Sequence, residues 1–471
     1  MAKIAILGAG SITFGTTLLN DMLATKALEG STYALMGPTL SKLERVENYT
    51  KKVITVNKLS ADVYSTTDRR EALKDADYVI ATLQIGGMEA YKTDYEIPMK
   101  YGVDQCIGQC VGVGGVFRGI RTIPVMVDVM HDMEELCPDA LLLNYVNPMA
   151  SISIAMGRSS TIEFVGLCHG IQTTLDLIAG YTHVKKEEID FLAAGINHMA
   201  WFLKLEKDGQ DLYPLFRENI EKPEYYINDK VRCEVARHFG YFMTESSGHL
   251  SEYLSWFRMN KKALDLYCDQ PLFGGESGIG YRFHSGIAEK FEKTDYLSFE
   301  TEELRPRSAE YCSHILEAME TGELFKLNGN VINKGYITNL PQDCCVEVPV
   351  YVDKMGLHPT RIGNLPAPLA AMNQSNVTVQ MLVAEAALTG DPELIVAAIA
   401  MDPLTSSVLT LKEIRDLTNE MFEAQETLLT HFKGKPKKIY DVKIPKGTEG
   451  VSVPLDPALG VANRLVGLAD S

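Results

Sequence analysis

Lys3-Ile4-Ala5-Ile6-Leu7-Gly8-Ala9-Gly10-Ser11 is the stretch on which the fold turns. A short apolar run ends in a glycine turn. A helical pattern follows from Thr13 to Ala27, with Leu18, Leu19, Met22 and Leu23 at core spacing. In that order, backbone N–H groups can approach a pyrophosphate at the turn, and the helix N-terminus favours its charge. The pattern is incomplete, because Thr13 holds the place of a third glycine. A tight turn with no ligand is the competing explanation. No acid ends the second strand to hold a ribose, since Leu35-Met36 runs into Gly37-Pro38. Three readings stay open: the ribose is held otherwise, NADP is admitted, or dinucleotide affinity is weak. Lys42 and Arg45, just beyond, sit on a helix pattern that solvates them.

Further strands fit Thr32–Met36, Asp62–Thr66, Tyr78–Ile85, Ala140–Val146 and Glu163–Cys168. A long helix fits Val116–Leu136, and Pro148 resists helix at Asn147. Strands alternating with helices predict an α/β fold, a Rossmann-like doubly wound parallel sheet. From Phe191 to about Val352 aromatic and β-branched runs mix with helical patterns. Residues 366–432 are strongly helical. This half predicts a second, mixed α+β and largely helical C-terminal lobe, with a Lys/Pro/Gly-rich tail from Lys433 wrapping the surface.

Composition narrows the function. Among 471 residues, 45 Lys+Arg stand against 62 Asp+Glu, a net charge of −17. Phosphate backbones and anionic membranes call for a basic footprint, so neither partner is expected. No apolar run reaches 18 residues, and Met1-Ala2-Lys3 leads straight into a strand. A secretory signal and a membrane span are therefore not expected. Nine cysteines, an odd number, fit reduced thiols in a cytoplasm.

Open α/β sheets bind ligands at the carboxyl ends of strands. Gln84, Asn144 with Asn147, and Cys168 with His169 stand at such ends, and His198 terminates the run ending Gly195-Ile196-Asn197. Cys168 and His198 lie too far apart in sequence for a structural zinc pattern. They suit a divalent ion completed by substrate oxygens, or else a buried thiol and a satisfied core histidine. Thr244-Glu245-Ser246-Ser247-Gly248-His249-Leu250-Ser251-Glu252-Tyr253 crowds acid–base groups into one segment. One helix face could carry His249, Glu252 and Tyr253; a solvated loop is the alternative.

Taken together, Gly8-Ala9-Gly10-Ser11, Gln84-Ile85-Gly86-Gly87, Asn144-Tyr145-Val146-Asn147-Pro148-Met149, Cys168-His169-Gly170 and Gly195-Ile196-Asn197-His198 resemble glycoside hydrolase family 4 in content and order. Asn330-(x2)-Asn333-Lys334-Gly335-Tyr336-Ile337-Thr338-Asn339-Leu340-Pro341, leading into Val346-Glu347-Val348, extends the resemblance, which is closest to the α-galactosidase branch. It implies an NAD- and divalent-metal-dependent glycosidase, the metal usually manganese. Oxidation at sugar carbon 3 acidifies the carbon 2 proton. Elimination of the aglycone, water addition and return of the hydride complete the cycle.

Carried onto this chain, the resemblance makes Cys168 and His198 the metal ligands. Gly8, Gly10, Ser11, Gln84 and Asn144 become cofactor contacts, and Asn147 and Asn197 hold the sugar. His169 becomes the general acid, and Tyr253 the base ahead of His249. Residues 1–190 become the NAD-binding domain, and 191–471 the domain for substrate, metal and oligomerisation, in a homodimer or homotetramer. Phosphosugar-specific members place an arginine near Tyr91, so a non-phosphorylated α-glycoside is implied, an α-galactoside above all. Gly170 stands in place of serine, Gly248 of a glutamate, Gln109-Cys110 of an Asp-Thr pair and Gly37 of the ribose aspartate. The two lost carboxylates point to room for a bulkier or anionic sugar such as a uronic acid, and an α-glucoside is a further alternative. A malate- or lactate-type NAD(P)-dependent dehydrogenase and a drifted sugar-binding paralogue are the readings of other classes.

Overall fold

Ile4 to Leu7 are fully buried, so the first strand forms where apolar residues can be covered on both faces. The computed structural model describes residues 1–294, 297, 300–443, 446 and 457, with side chains for all but 12–14 and 292. Six strands build the first half: β1 (Lys3–Leu7), β2 (Thr32–Met36), β3 (Asp62–Thr66), β4 (Tyr78–Ala81), β5 (Leu141–Asn144) and β6 (Phe164–Gly166). They pair in parallel in the order β3-β2-β1-β4-β5-β6. That is the Rossmann order. Ile4 and Ile6 pack with Leu18, Leu19 and Met22 on one face. Ala5 and Leu7 pack with Phe117 and Ile120 on the other.

The expected strand Tyr78–Ile85 stops at Ala81, where the chain at 82–83 turns to lie against Gly8. The first helix ends at Leu23, short of Ala27, and a 3-10 turn at Lys26–Leu28 follows. Thr25 Oγ1 donates to Asp21 O at 2.7 Å and closes that end. The long helix begins earlier than expected, at Gly112, whose N–H donates to Asp402 Oδ1 at 3.2 Å.

The second half extends the same sheet. Its strands are β7 (Asp190–Ile196), β8 (Met199–Lys207), β9 (Gln210–Asp211), β10 (Phe325–Ile332), β11 (Cys345–Asp353) and β12 (Gly356–Pro359). Here the pairing is antiparallel, continuing β6-β10-β11-β7-β8-β9 with β12 beside β11. Helix Ala367–Thr389 packs on helices Gly112–Leu136 and Met149–Ser159. Asn373 Oδ1 accepts from the buried Trp201 Nε1 at 2.9 Å. The helical stretch expected over 366–432 is broken at Gly390, Asp402 and Thr410 into four helices. Met1–Lys437 form one compact unit and Lys438–Ser471 cluster separately. The course of the C-terminal tail beyond 443 lies almost wholly outside the described residues.

Candidate active site

Gly8 turns the chain past β1 with φ +95°. A Cβ there would stand 2.8 Å from the Leu83 nitrogen, so only glycine lets this turn lie against the neighbouring backbone. Gly8 and Ala9 donate their N–H groups to Met36 O at 2.8 and 3.1 Å. Ser11 stands at the N-cap of helix Ile12–Leu23, and its side chain makes no capping bond. A helix N-terminus placed directly after this glycine turn fits the pyrophosphate of a dinucleotide. Gln84 is exposed beyond β4, its Nε2 donating to Gly87 O at 3.4 Å. Asn144 is fully buried. Its Oδ1 accepts from Val146 N at 2.9 Å and its Nδ2 faces the Met149 sulfur at 3.3 Å, so its amide is spent on the turn. At position 37 a Cβ would meet Leu43 Cδ2 at 3.3 Å. The glycine in place of the ribose acid is packed against the next helix.

Cys168 follows β6, and Asn197-His198 is the two-residue turn between β7 and β8. His198 has φ +61°, a left-handed conformation in which histidine is one of the few enriched side chains. Ile196 pairs with Met199 across the turn and holds it there. Glu245 comes from the loop before helix Ser247–Tyr253. The donor atoms of Cys168, His198 and Glu245 all lie within 4.8 Å of one another, with His198 Nε2 3.4 Å from Glu245 Oε2. Sulfur, nitrogen and oxygen donors with room for more fit a catalytic divalent ion.

Two buried groups beside this cluster lack protein partners: Asn197 Nδ2 and Glu347 Oε1. Buried polar atoms are nearly always bonded, so these two fit a ligand's oxygens. Burial pushes Glu347 up to about 8, with His198 opposing and Glu245 adding. Burial also raises the Cys168 thiol, against the pull of His198. For His198 burial acts downward, but the Cys168 and Cys110 thiols and Glu245 lift it well above an ordinary imidazole. Glu245 is half-buried; desolvation acts upward on it, yet His198, His249 and His169 hold it below the usual carboxylate range.

Helix Ser247–Tyr253 is buried along its whole length, which excludes the solvated loop. Ser246 caps it by accepting from His249 N. The expected face forms: His249 Nδ1 donates to Glu252 Oε2 at 2.8 Å. Glu252 Oε1 accepts from Ile107 N and Gly108 N, each at 3.0 Å. His249 Nε2 lies 2.9 Å from His198 Nδ1, and the Tyr253 hydroxyl 3.4 Å from that same nitrogen. Cys110 joins here, its donor atom within 4.8 Å of those of His198 and His249. Burial would raise its thiol, but the two imidazoles bring it down to about 6. Against burial, Cys110 and Glu252 raise His249 to about 9. Burial, with Cys110 and Glu245 adding, takes Tyr253 well above its ordinary value.

His169 is exposed at the rim, its Nδ1 3.5 Å from Glu310 Oε1. That carboxylate raises the imidazole pKa against partial burial. Asn147 is half-buried. Its carbonyl accepts from Arg118 Nε at 3.0 Å, and its Oδ1 from Met149 N at 3.3 Å. Tyr91 is 1% exposed and donates to Ile107 O at 2.6 Å, so position 91 is core. The expectation that Gly248 opens the sugar pocket is corrected. A Cβ there would stand 2.5 Å from Phe273 O and 2.8 Å from Gly275 N, so the space is filled by backbone.

Sequence reasoning left Glu245, Glu310, Glu347 and Arg118 without roles. Glu245 had a local signal, an acid directly before a helix-capping serine. Glu347 had another, a carboxylate inside the apolar strand Val346-Glu347-Val348. Glu310 and Arg118 had none, because only the fold brings them to His169 and Asn147.

The fold and cluster define a dinucleotide-binding α/β class with a metal-fitting centre at the strand ends. Residues 3–184 match "Family 4 glycosyl hydrolase" and residues 193–405 match "Family 4 glycosyl hydrolase C-terminal domain". An alpha-galactosidase of Rhizobium meliloti (strain 1021) is 38% identical over 442 residues, 91% of this chain and 89% of that one. An alpha-galactosidase of Bacillus subtilis (strain 168) is 39% identical over 436 residues, 92% and 100% of the two chains. The crystal structure of a 6-phospho-alpha-glucosidase from gut microorganisms, in complex with NAD and Mn2+, shares the fold with a TM-score of 0.76 at 20% identity. It covers 92% of this chain and 100% of its own. This chain belongs to glycosyl hydrolase family 4. It is thus a glycoside hydrolase, and the malate- or lactate-type oxidoreductase reading is set aside. Among the described residues no helix is long and apolar enough to cross a membrane.

Proposed function

We propose that this chain hydrolyses non-phosphorylated α-glycosides, α-galactosides above all, with NAD and a divalent ion, manganese, as resident groups. The observation that carries the reading is the convergence of Cys168, His198 and Glu245, with the Tyr253 hydroxyl 3.4 Å from the other ring nitrogen of His198. The two α-galactosidases at 38 and 39% identity support the sugar, and the related fold crystallised with NAD and Mn2+ supports the cofactors. When bound, these groups supply reversible hydride removal at sugar carbon 3 and Lewis-acid polarisation of the neighbouring oxygens.

The chain's own residues divide the remaining work. Gly8 shapes the turn at which Gly10 and Ser11 hold the pyrophosphate, with Gln84 at the rim and Asn144 supporting the turn ahead of Asn147. Cys168 and His198 ligate the ion, and Glu245 faces the same position. Asn147 and Asn197 hold sugar hydroxyls, the unpaired Asn197 Nδ2 among the donors. Tyr253 takes the carbon 2 proton. Burial raises its hydroxyl, so it acts as a base only with a cation beside it. His169 protonates the leaving oxygen, and Glu310 beside it raises the pKa of that imidazole. His249 orients rather than reacts. With its Nδ1–H on Glu252, its Nε2 meets His198 Nδ1 and leaves His198 Nε2 for the metal side.

Residues 1–190 carry the nucleotide and lend Cys168, Asn147 and His169 to the site, and 191–471 carry the rest of the sugar and ion site and the contacts of a homodimer or homotetramer. A reducing cytoplasm suits the nine free thiols among the described residues. The test is a panel of aryl galactosides, glucosides, glucuronides and galacturonides in α and β forms, with NAD, Mn2+ and a reductant in deuterated water. The α-galactoside is expected to be cleaved fastest, with deuterium at carbon 2 of the released sugar. Hydrolysis without deuterium entry would overturn the elimination chemistry.

A further inference from the structure

Cys110 has no part in that chemistry, yet it completes a second group of donors. It comes from the loop before helix Gly112–Leu136, while His198 comes from the β7–β8 turn and His249 from helix Ser247–Tyr253. Its sulfur and the two imidazole nitrogens all lie within 4.8 Å of one another. The two groups meet His198 on opposite nitrogens. Nε2 faces Glu245 at 3.4 Å, whereas Nδ1 faces His249 Nε2 at 2.9 Å.

We propose that Cys110, His198 Nδ1 and His249 Nε2 form a second metal site, selective for a thiophilic divalent ion, zinc, whose occupation competes with the ion held at Cys168. One sulfur and two nitrogens are a zinc donor set, with the fourth position left to water. The group at Cys168 adds a carboxylate instead and suits a harder ion. Tetrahedral zinc, with bonds of about 2.0–2.1 Å, spreads two nitrogens to roughly 3.3 Å, a few tenths beyond the spacing here. The Glu252 carboxylate on His249 Nδ1 supplies the outer support that zinc-bound imidazoles usually have. On binding, zinc displaces the thiol proton to solvent, while the proton on His198 Nδ1 passes by way of solvent to Nε2 of the same ring. A His198 ring that gives its Nδ1 lone pair to zinc keeps its proton on Nε2, so it is lost as a ligand on the other side. The site itself stands on geometry alone. Only the competition rests on His198 ligating the ion at Cys168.

The experiment uses the metal-free enzyme, titrated with Zn2+ by calorimetry and with Co2+ as a spectroscopic stand-in. Cys168→Ser is expected to keep one tight zinc and a thiolate-to-cobalt charge-transfer band. Cys110→Ser with Cys168→Ser is expected to lose the band and weaken zinc binding about 100-fold. In the manganese-loaded enzyme with Cys168 intact, Cys110→Ser is expected to weaken zinc inhibition about 10-fold. A Cys168→Ser protein that melts like wild type but shows no cobalt–thiolate band overturns the proposal. So does zinc inhibition unchanged by Cys110→Ser, which needs no change at Cys168. If wild type cleaves no glycoside while Cys168→Ser keeps the band, the glycosidase reading fails and the second site stands.

Discussion

Gly248 lies at the second residue of helix Ser247–Tyr253, where a methyl group would stand 2.5 Å from Phe273 O and 2.7 Å from Cys106 Sγ. Gly248→Ala is therefore expected to destabilise the fold by about 1–3 kcal/mol through overpacking. A lower urea midpoint at unchanged slope would show it. A pocket position would instead leave the midpoint alone and change sugar preference. The same position shows what a single sequence conceals. Cys168, His198 and Tyr253 could be singled out because each stands at the end of an apolar run or in a dense polar segment. Whether Gly248 faced sugar or backbone depended on residues 273–275, and no local pattern announces that neighbour. Glu310 is hidden in the same way, being 141 positions (310 − 169) from the imidazole it faces.

Asp402 is a joint between elements. Its Oδ2 accepts from Thr405 N at 2.8 Å and from Thr405 Oγ1 at 2.7 Å, capping helix Pro403–Val408. Its Oδ1 accepts from Gly112 N and so holds the start of helix Gly112–Leu136. Burial raises its pKa to about 6, although these bonds pull it down. An unfolded aspartate titrates near 3.9, so the folded state binds this proton more tightly. The contribution of this group is then fully present below about pH 4. It declines as pH rises to about 6 and is flat above, a fall of roughly 3 kcal/mol. Asp402→Asn is expected to remove that slope in urea unfolding followed from pH 4.5 to 7, at the cost of part of the cap. A slope that survives would mean the carboxylate is not its source. Elements of this kind were readable as helices from Leu382, Leu394 and Ile399. Their breaks at Gly390 and Asp402 are marked by glycine and by Asp-Pro. The two-residue turn at Asn197-His198 was readable only as the end of an apolar run, because its partner strand β8 is apolar as well.

Across the whole molecule, the parallel half of the sheet was legible because strands and helices alternate with glycine and proline between them. The antiparallel continuation was not, since residues 191–352 carry little punctuation and β10, which starts at Phe325, joins β6, which ends at Gly166, from far along the chain. The halves are also tied at depth by Gln425, whose Nε2 donates to Asp94 Oδ1 at 2.8 Å in the fully buried Arg121–Asp94 pair. At the strands themselves the connection is thin. Gly166 with Asn330, and Glu347 with Gly195, are the single register pairs joining β6 to β10 and β11 to β7. The β10–β11 ribbon is thus a plank resting between two banks, one ending in Cys168 and the other in His198. An ion gripped from both banks would act as a clasp. Stripping it with a chelator should quicken amide hydrogen exchange beside residues 166 and 195 while the β1–β2 ladder exchanges as before; equal rates with and without chelator would mean the plank is already fixed.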